Sequence, residues 1–227
     1  MSALIKGIEM KKFFSLSLVL LFASASALAA GSTPSGGGNY ISVSRLSSAS
    51  ATFRGGDGGC VETEANVYAE RFSNKINQEI ATTSTVLHVF SMTRRNVCTN
   101  TTEFSAAHWV GPITSFTHVL KKNTDGTVKG TASVVANIQV EDQVSGNSVP
   151  VWLNLVWNTF GVRRDNNNEV KETYPEGFYT LTTVRDTQIV SSAVGSVSDG
   201  AYEYAEQYQS ATWQQAKSEF RTNTAAQ

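Results

Sequence analysis

The feature that most constrains the fold is an alternation of small or apolar and polar side chains with a period of two. Across residues 61–70 the two rows are Val61, Thr63, Ala65, Val67 and Ala69 against Glu62, Glu64, Asn66, Tyr68 and Glu70. Successive side chains of a β-strand point to opposite faces of its sheet. The segment therefore predicts a strand with one face in the core and the other in water.

The same alternation returns in residues 128–141, where every second side chain from Val128 to Val140 is small or apolar. A shorter alternating segment at 115–121 precedes it, and the turn-forming residues 123–126 lie between the two. This arrangement predicts a β-hairpin. Because the second strand is long, we expect a bend or bulge near Gly130.

Other segments extend the pattern. Residues 86–92 and 151–160 are apolar on both rows, which predicts central strands covered on both sides, and 177–190 is typical of strands. Residues 202–220 suit a strand or a short helix, and we favour a strand. Together these segments predict an all-β fold, a single antiparallel β-sandwich domain spanning residues 40–227.

The N-terminus has the three parts of a secretory signal peptide. Lys11 and Lys12 precede an apolar run at 13–25, and Ala27-Leu28-Ala29 supplies the small residues of a cleavage site. We therefore assign residues 1–29 to upstream residues and a signal peptide, and the Gly/Ser-rich segment 30–39 to a flexible lead-in. The apolar run is too short to span a membrane. The prediction is a secreted protein, extracellular or periplasmic.

The charge balance argues against one class of partner. The chain carries a formal net charge of -1, with 18 basic and 19 acidic side chains. A protein that neutralises phosphates needs a basic surface, and nothing in this composition indicates one. Nucleic acid is therefore not an expected partner.

Cys60 and Cys98 are the two cysteines of the chain. An even pair in an exported protein indicates a disulfide bond. In the chain-entropy model, closing a loop of this length stabilises the fold by roughly 3–4 kcal/mol. A thiol nucleophile or a metal site is the alternative, and the sequence has no C-x-x-C spacing to support it.

Histidines and paired carboxylates are the first candidates for catalytic chemistry. His88 and His118 both lie on apolar rows, where they suit a metal site or proton transfer, although a hydrogen-bonded core histidine fits the same pattern. Glu62 and Glu64 share one strand face, as the acid and base of a glycosidase require, but a solvated edge gives the same spacing. No cofactor is predicted from these residues.

An oxygen-rich run at residues 165–169 is the best candidate metal site. Asp165, Asn167 and Glu169 carry the oxygen ligands that calcium prefers. The run lacks the distal glutamate of a twelve-residue calcium loop, and a polar turn rich in Asn and Asp is the alternative.

Aromatic and amide side chains form the most promising binding surface. Trp152, Asn154 and Asn158 share one row of a predicted strand, and Tyr202 and Tyr204 extend the candidate face. An aromatic ring beside amides can stack on a sugar ring and bind its hydroxyls. Packing of the tryptophan in the core is the alternative, since apolar residues share its row.

Several segments resemble an uncharacterised family of secreted bacterial all-β proteins. The similar segments are residues 48–53, Gly59-Cys60-Val61, residues 151–157, residues 210–213 and Lys217-Ser218. The resemblance spans most of the chain after residue 40, and it implies a strand at the C-terminus. Its motifs are structural, so it implies no activity and no functional residue.

Three hypotheses for function follow from these observations. The leading one is an exported, non-enzymatic binding module for a glycan or another envelope protein. The second is a secreted hydrolase that acts on glycans with the help of calcium. The third is a structural or adhesive matrix protein whose edge strands pair with those of neighbours.

Overall fold

The computed structural model describes residues 39–125, 127–173, 179–204 and 207–223. The predicted signal peptide and most of the lead-in lie outside them, and the first strand already begins at Asn39, the last residue assigned to the lead-in. No helix occurs among the described residues, so none of sufficient length and hydropathy to cross a membrane is present in this part of the chain.

Ten β-strands make up the described structure: β1 (Asn39–Gly56), β2 (Val61–Ile76), β3 (Glu79–Asn96), β4 (Thr101–Ala106), β5 (Trp109–Pro112), β6 (Thr117–Lys122), β7 (Val128–Glu141), β8 (Ser148–Thr173), β9 (Tyr179–Ser198) and β10 (Gln207–Asn223). All their pairings are antiparallel, which confirms the all-β prediction. The segment at 202–220 contributes the strand β10, as favoured from the sequence.

The strands form one continuous sheet in the order β4-β3-β2-β1-β10-β9-β8-β7-β6, and β5 pairs with β3. Each half of this order is a meander of consecutive strands. The first and last strands join the halves, with Ala49 of β1 opposite Trp213 of β10. The topology therefore brings the two ends of the described chain together at the middle of the sheet.

The sheet bends across itself, so that strands distant in the order lie in two layers. The Trp157 indole on β8 donates a hydrogen bond to the Ser50 carbonyl on β1 (2.9 Å). The Trp213 indole on β10 donates to the Thr131 carbonyl on β7 (3.4 Å). These contacts agree with the predicted sandwich, built here from one folded sheet.

The predicted alternation accounts for which residues reach the core. Val61, Thr63, Ala65, Val67 and Ala69 are all buried on β2, and the alternate residues of β7 from Gly130 to Val140 are buried or half-buried. The predicted hairpin is β6–β7, with Thr117 opposite Ser133. The Cys60–Cys98 disulfide bond is present and links the start of β2 to the turn after β3.

The two segments predicted to be covered on both sides are covered on one only. In β8, Val151, Leu153, Leu155 and Trp157 are buried, whereas Trp152 and Val156 are exposed. In β3 the register with β2 skips Phe90, since Asn66 pairs with Ser91 and Val67 with Val89. Phe90 lies on the outer face beside His88 and is 46 % exposed, whereas Met92, beyond the bulge, is buried. Both predictions of two-sided cover were therefore wrong.

Gly130 has a different role from the predicted bend. Gly130 pairs with Leu120 of β6 without a register shift, and the pairing of β7 with β8 begins at the next residue, Thr131. A Cβ atom at Gly130 would instead lie 2.8 Å from Trp213 Cε2 and 2.8 Å from Thr159 Cγ2. The missing side chain lets β7 approach the Trp213 indole closely.

His118 joins β6 to the opposite layer. Its ring stacks on Trp213 with a centroid distance of 4.3 Å, and Nε2 lies 3.2 Å from the Ser48 carbonyl oxygen. Burial lowers the pKa of His118 to about 4, although its hydrogen bonds to backbone carbonyls oppose the shift. A histidine held neutral against tryptophan contributes packing rather than charge, as the core interpretation predicted.

We expect Gly130→Ala to destabilise the fold by about 1–3 kcal/mol, because the new methyl group overpacks the Trp213 contact. Urea unfolding measures this difference. Gly59→Ala is the matched control, since a Cβ there meets only Asp57 at an ordinary 3.5 Å. Equal stability of the two variants would contradict the close packing of β7 on Trp213.

We expect acid to destabilise the protein through His118. Because the folded-state pKa of about 4 lies below the ordinary histidine pKa of about 6.5, the unfolded chain binds the proton more readily and stability falls as the pH drops from 6.5 to 4. The loss is on the order of 2–3 kcal/mol. Unfolding free energies measured over this pH range should fall less steeply in His118→Gln than in the wild type. Parallel pH curves would refute this role.

Candidate functional site

Strand β8 presents one indole to solvent because its residues alternate strictly between the two faces. Leu153 and Leu155 point into the core, so Trp152, Asn154 and Val156 point outward. Trp152 is 43 % exposed. The outward position is thus set by the burial of its neighbours.

The outer side chains of β7 and β9 complete a continuous surface around this indole. Four rows cross the sheet on this side, each with one residue from β7, one from β8 and one from β9. The rows are Asn137–Trp152–Ser198, Val135–Asn154–Ser196, Ser133–Val156–Val194 and Thr131–Asn158–Ser192. We call these twelve residues the Trp152 face. It combines one aromatic ring, three valines and a set of amide and hydroxyl groups.

Two glycines of β9 and the loop that follows it shape this face. At Gly195, with a φ of +130°, a Cβ atom would lie 1.8 Å from the Asn154 carbonyl oxygen. At Gly200, with a φ of +84°, it would lie 3.1 Å from Trp152 Cζ3. Both backbone conformations favour glycine. The Trp152 ring therefore rests against backbone at Gly200 rather than against a side chain.

The amides of the Trp152 face are open for binding. Within the described residues, the side chains of Asn137, Asn154 and Asn158 make no hydrogen bond to the protein. Asn137 and Asn154 are exposed, and Asn158 is half-buried. Each amide offers both a donor and an acceptor to a ligand. Trp152, Asn154 and Asn158 thus share one accessible face, as their spacing predicted.

The two predicted tyrosines do not belong to this face. Tyr204 is fully buried, and its hydroxyl donates a hydrogen bond to Asp199 Oδ2 (2.8 Å). Tyr202 is half-buried, with the Arg94 guanidinium 5.1 Å from its ring centroid. Arg94 also pairs with Asp199, whose side chain is 2 % exposed. The predicted binding role of Tyr204 is therefore wrong, because this hydroxyl completes a buried polar network.

The predicted calcium ligands lie in the strand β8 rather than in a turn. Asp165, Asn167 and Glu169 are on one face, where alternate residues are about 6.8 Å apart and do not converge on one ion. Asp165 Oδ1 already accepts hydrogen bonds from Thr187 (2.7 Å) and Arg163 (2.8 Å). These two contacts lower the pKa of Asp165. No group of three or more acidic, histidine or cysteine side chains suited to a metal occurs among the described residues.

Glu62 and Glu64, the carboxylate pair of the hydrolase hypothesis, do not act on a common site. Glu62 is exposed, while Glu64 accepts hydrogen bonds from Arg54 (2.6 Å) and Asn66 (3.2 Å). Two shallow grooves of about 620 and 400 Å³ occur elsewhere, and neither is lined by these glutamates. The pair thus lacks the enclosed cleft that raises the pKa of a catalytic acid.

A histidine cluster on the outer face of β2, β3 and β5 was not predicted. His88 Nδ1 lies 3.3 Å from His108 Nε2, and on its other side His88 Nε2 lies 4.0 Å from Glu70. Burial lowers the pKa of His88, and His108 acts in the same direction, although Glu70 opposes them. His88 is therefore a half-buried surface residue, not a core one, and it lies apart from His118.

The sequence offered little signal for this cluster. His108 precedes β5 and reaches His88 only because Val110 pairs with His88 across β3 and β5. That pairing joins segments about twenty residues apart, and an alternation pattern carries no information on which strands become neighbours.

Comparison of the chain with models of protein families, with curated proteins and with solved structures gave no match. The resemblance to secreted bacterial all-β proteins therefore stays a prediction, and the function is argued from the site alone.

We expect Tyr204→Phe to destabilise the protein by about 1–3 kcal/mol, because the buried Asp199 carboxylate loses a donor. Tyr202→Phe is the matched control, since the Tyr202 hydroxyl has no hydrogen-bond partner among the described residues. Chemical unfolding measures both variants. If Tyr202→Phe proved as destabilising as Tyr204→Phe, the Asp199 network would not be the cause.

Proposed function

We propose that the protein is an exported, non-enzymatic binding module of the cell envelope or extracellular space, and that the Trp152 face binds carbohydrate. The observation that carries the proposal is a 43 % exposed indole on the outer face of the sheet, beside amides that have no hydrogen-bond partner within the described residues. A sugar ring presents axial C–H groups to an aromatic face and hydroxyls at its rim. The Trp152 ring suits the first, and Asn137 and Asn154 suit the second.

Exposed valines strengthen the case for a binding face. Val135 is 58 %, Val156 37 % and Val194 54 % exposed, and all three lie on the Trp152 face. A contiguous exposed apolar patch rimmed by polar groups marks an interaction site in soluble proteins. Because this face is the outer side of a sheet and lines neither of the two grooves, we expect it to bind the side of a glycan chain and to leave its bonds intact.

The export part of the proposal rests on two observations. The N-terminal sequence has the three parts of a signal peptide. The Cys60–Cys98 disulfide bond is of the kind that forms in oxidising compartments. A binding module in such a compartment would meet the glycans of an envelope or its surroundings.

A glycan-array screen of residues 30–227, with and without calcium, tests the function. We expect selective binding that does not depend on calcium. Trp152→Ala should weaken the affinity about 30-fold or more, as removal of a central aromatic anchor does. Because the ring is exposed, the same change should alter the unfolding free energy by less than about 1 kcal/mol.

Phe90→Ala is the matched control, because Phe90 is an aromatic of similar exposure, 46 %, on the outer face of β3. We expect this variant to bind like the wild type. A folded, oxidised sample that binds no glycan would overturn the proposal. Equal loss in Phe90→Ala and Trp152→Ala would remove the Trp152 face from it.

A further inference from the structure

Within the described part of the chain, the second half of strand β8 is paired on one side only. β7 pairs with β8 only as far as Asn158, whereas β9 continues to pair with β8 from Arg163 to Thr173. Along these eleven residues, no described strand lies on the other side of β8. All of them are exposed. We call this segment, Arg163–Thr173, the β8 edge.

An edge strand offers a row of backbone donors and acceptors to another strand. Proteins commonly blunt such an edge with charged residues, and the β8 edge is rich in them: Arg163, Arg164, Asp165, Glu169, Lys171 and Glu172. What distinguishes this edge is the order of its charges. When the segment is reversed about Asn168, Arg164 meets Glu172 and Asp165 meets Lys171, while Glu169 and Arg163 meet uncharged residues.

We propose that two copies of this chain pair through their β8 edges, antiparallel and with Asn168 on the two-fold axis. In that register Arg164 lies opposite the partner's Glu172, and Asp165 lies opposite the partner's Lys171. The symmetry repeats both pairs, so that four opposite-charge pairs form and no like charges face each other. Directly opposed side chains of unlike charge stabilise antiparallel strands.

The neighbouring registers are disfavoured by the same charges. If Glu169 lay on the axis, it would face the partner's Glu169. If Asn167 lay there, Asp165 would face the partner's Glu169 and Arg163 the partner's Lys171. A slip of one residue places Arg164 opposite Lys171, or Asp165 opposite Glu172. The register with Asn168 on the axis therefore has the most opposite-charge pairs along this edge and no like-charge pair. A two-fold dimer needs such an interface, because it must be complementary to itself.

The charged side chains of the β8 edge make weak, exposed contacts within the chain. Asp165 accepts hydrogen bonds from Arg163 and Thr187, the Lys171 ammonium lies 4.8 Å from the Tyr179 ring centroid, and Glu172 accepts a hydrogen bond from Thr180 (3.3 Å). All are exposed contacts with the chain's own surface, and such contacts contribute little stability. The side chains of Asp165 and Lys171 can therefore reorient toward a partner strand.

The other open edges of the described sheet, on β4, on β6 and on the first part of β3, lack a comparable pattern: β4 carries one charge and β6 no acidic residue. Glu79–Thr85 of β3 extends past the end of β5, which pairs with β3 only between Val86 and Val89. Its sequence, EIATTST, contains one charge. No register of that edge is singled out by charge. We therefore place the interface with the second copy at the β8 edge, where the signs and positions of the charges are complementary.

Cross-linking tests the proposed register. Opposed Cα atoms in an antiparallel pair are about 4.5–5.5 Å apart, within reach of a disulfide bond. Asn168→Cys should therefore form a covalent dimer under mild oxidation. Asn166→Cys is the matched control on the same strand face, because its symmetry mate lies four residues away, at about 13 Å. We expect the control to link at least about tenfold more slowly.

Sedimentation equilibrium measures the dimer dissociation constant of the oxidised wild type and of charge variants, and so tests the role of the charges. Arg164→Glu places two like-charge pairs in the interface and should weaken the dimer about tenfold or more. The double variant Arg164→Glu/Glu172→Arg restores opposite charges and should restore dimerisation. Circular dichroism establishes that each variant is folded.

Three results would overturn the proposal: a wild type that stays monomeric up to millimolar concentration, equal cross-linking of Asn168→Cys and Asn166→Cys, or a dimer indifferent to Arg164→Glu. Glycan binding is a separate property, since the Trp152 face lies on the first half of β8. Loss of the dimer with retained glycan binding, or the reverse, therefore distinguishes the two proposals.

Discussion

The pairing of the first strand with the last holds this fold together. β1 and β10 are paired from Asn39 opposite Asn223 to Arg54 opposite Gln207, and each belongs to a different meander of the sheet. Without these backbone hydrogen bonds, the two meanders would be separate sheets, each with an additional open edge. Because the contact joins residues so distant in sequence, it has a large loop-closure entropy to overcome. Its position at the centre of the sheet explains how one continuous sheet can bend into two layers.

The bend of the sheet places the largest aromatic residues between the layers and leaves the outer faces free. Trp157 and Trp213 are fully buried, and their indole N–H groups reach backbone carbonyls of the opposite layer. Trp152 lies on the same strand as Trp157 but points to the opposite face of the sheet. One tryptophan of β8 therefore packs in the core, and the other is exposed to solvent. Because the packing of the core fixes the position of strand β8, it also fixes the position of the exposed Trp152 indole.

Much of the fold could be predicted because alternation is a local property. The rows of β2 and β7, the β6–β7 hairpin and the strand at the C-terminus follow from nearby residues. The disulfide bond followed from the cysteine count. The predictions for 86–92 and 151–160 failed because an exposed valine and a buried one look alike in sequence. Phe90 is a second example, since an apolar ring on the outer face of β3 looks like a core residue in sequence.

The candidate site was predicted in part for the same reason. Trp152, Asn154 and Asn158 share a strand, so their common face follows from parity alone. Tyr204 was misplaced because its burial depends on Asp199 and Arg94, and Arg94 is 105 residues from Asp199 in sequence. Similarly, the His88–His108 contact depends on the pairing of β3 with β5. Where a prediction needed the identity of a neighbouring strand, the sequence pattern could not supply it.

Amide hydrogen exchange, resolved by residue, tests most directly whether the β1–β10 pairing unites the two meanders. If it does, the central amides of both strands, around Ala49 and Trp213, should exchange only by global unfolding and be among the slowest in the protein. Exchange of these amides that is faster than in the outer pairs, such as β2–β3 or β8–β9, would contradict the account. The two halves of the chain would then fold as separate units rather than as one bent sheet.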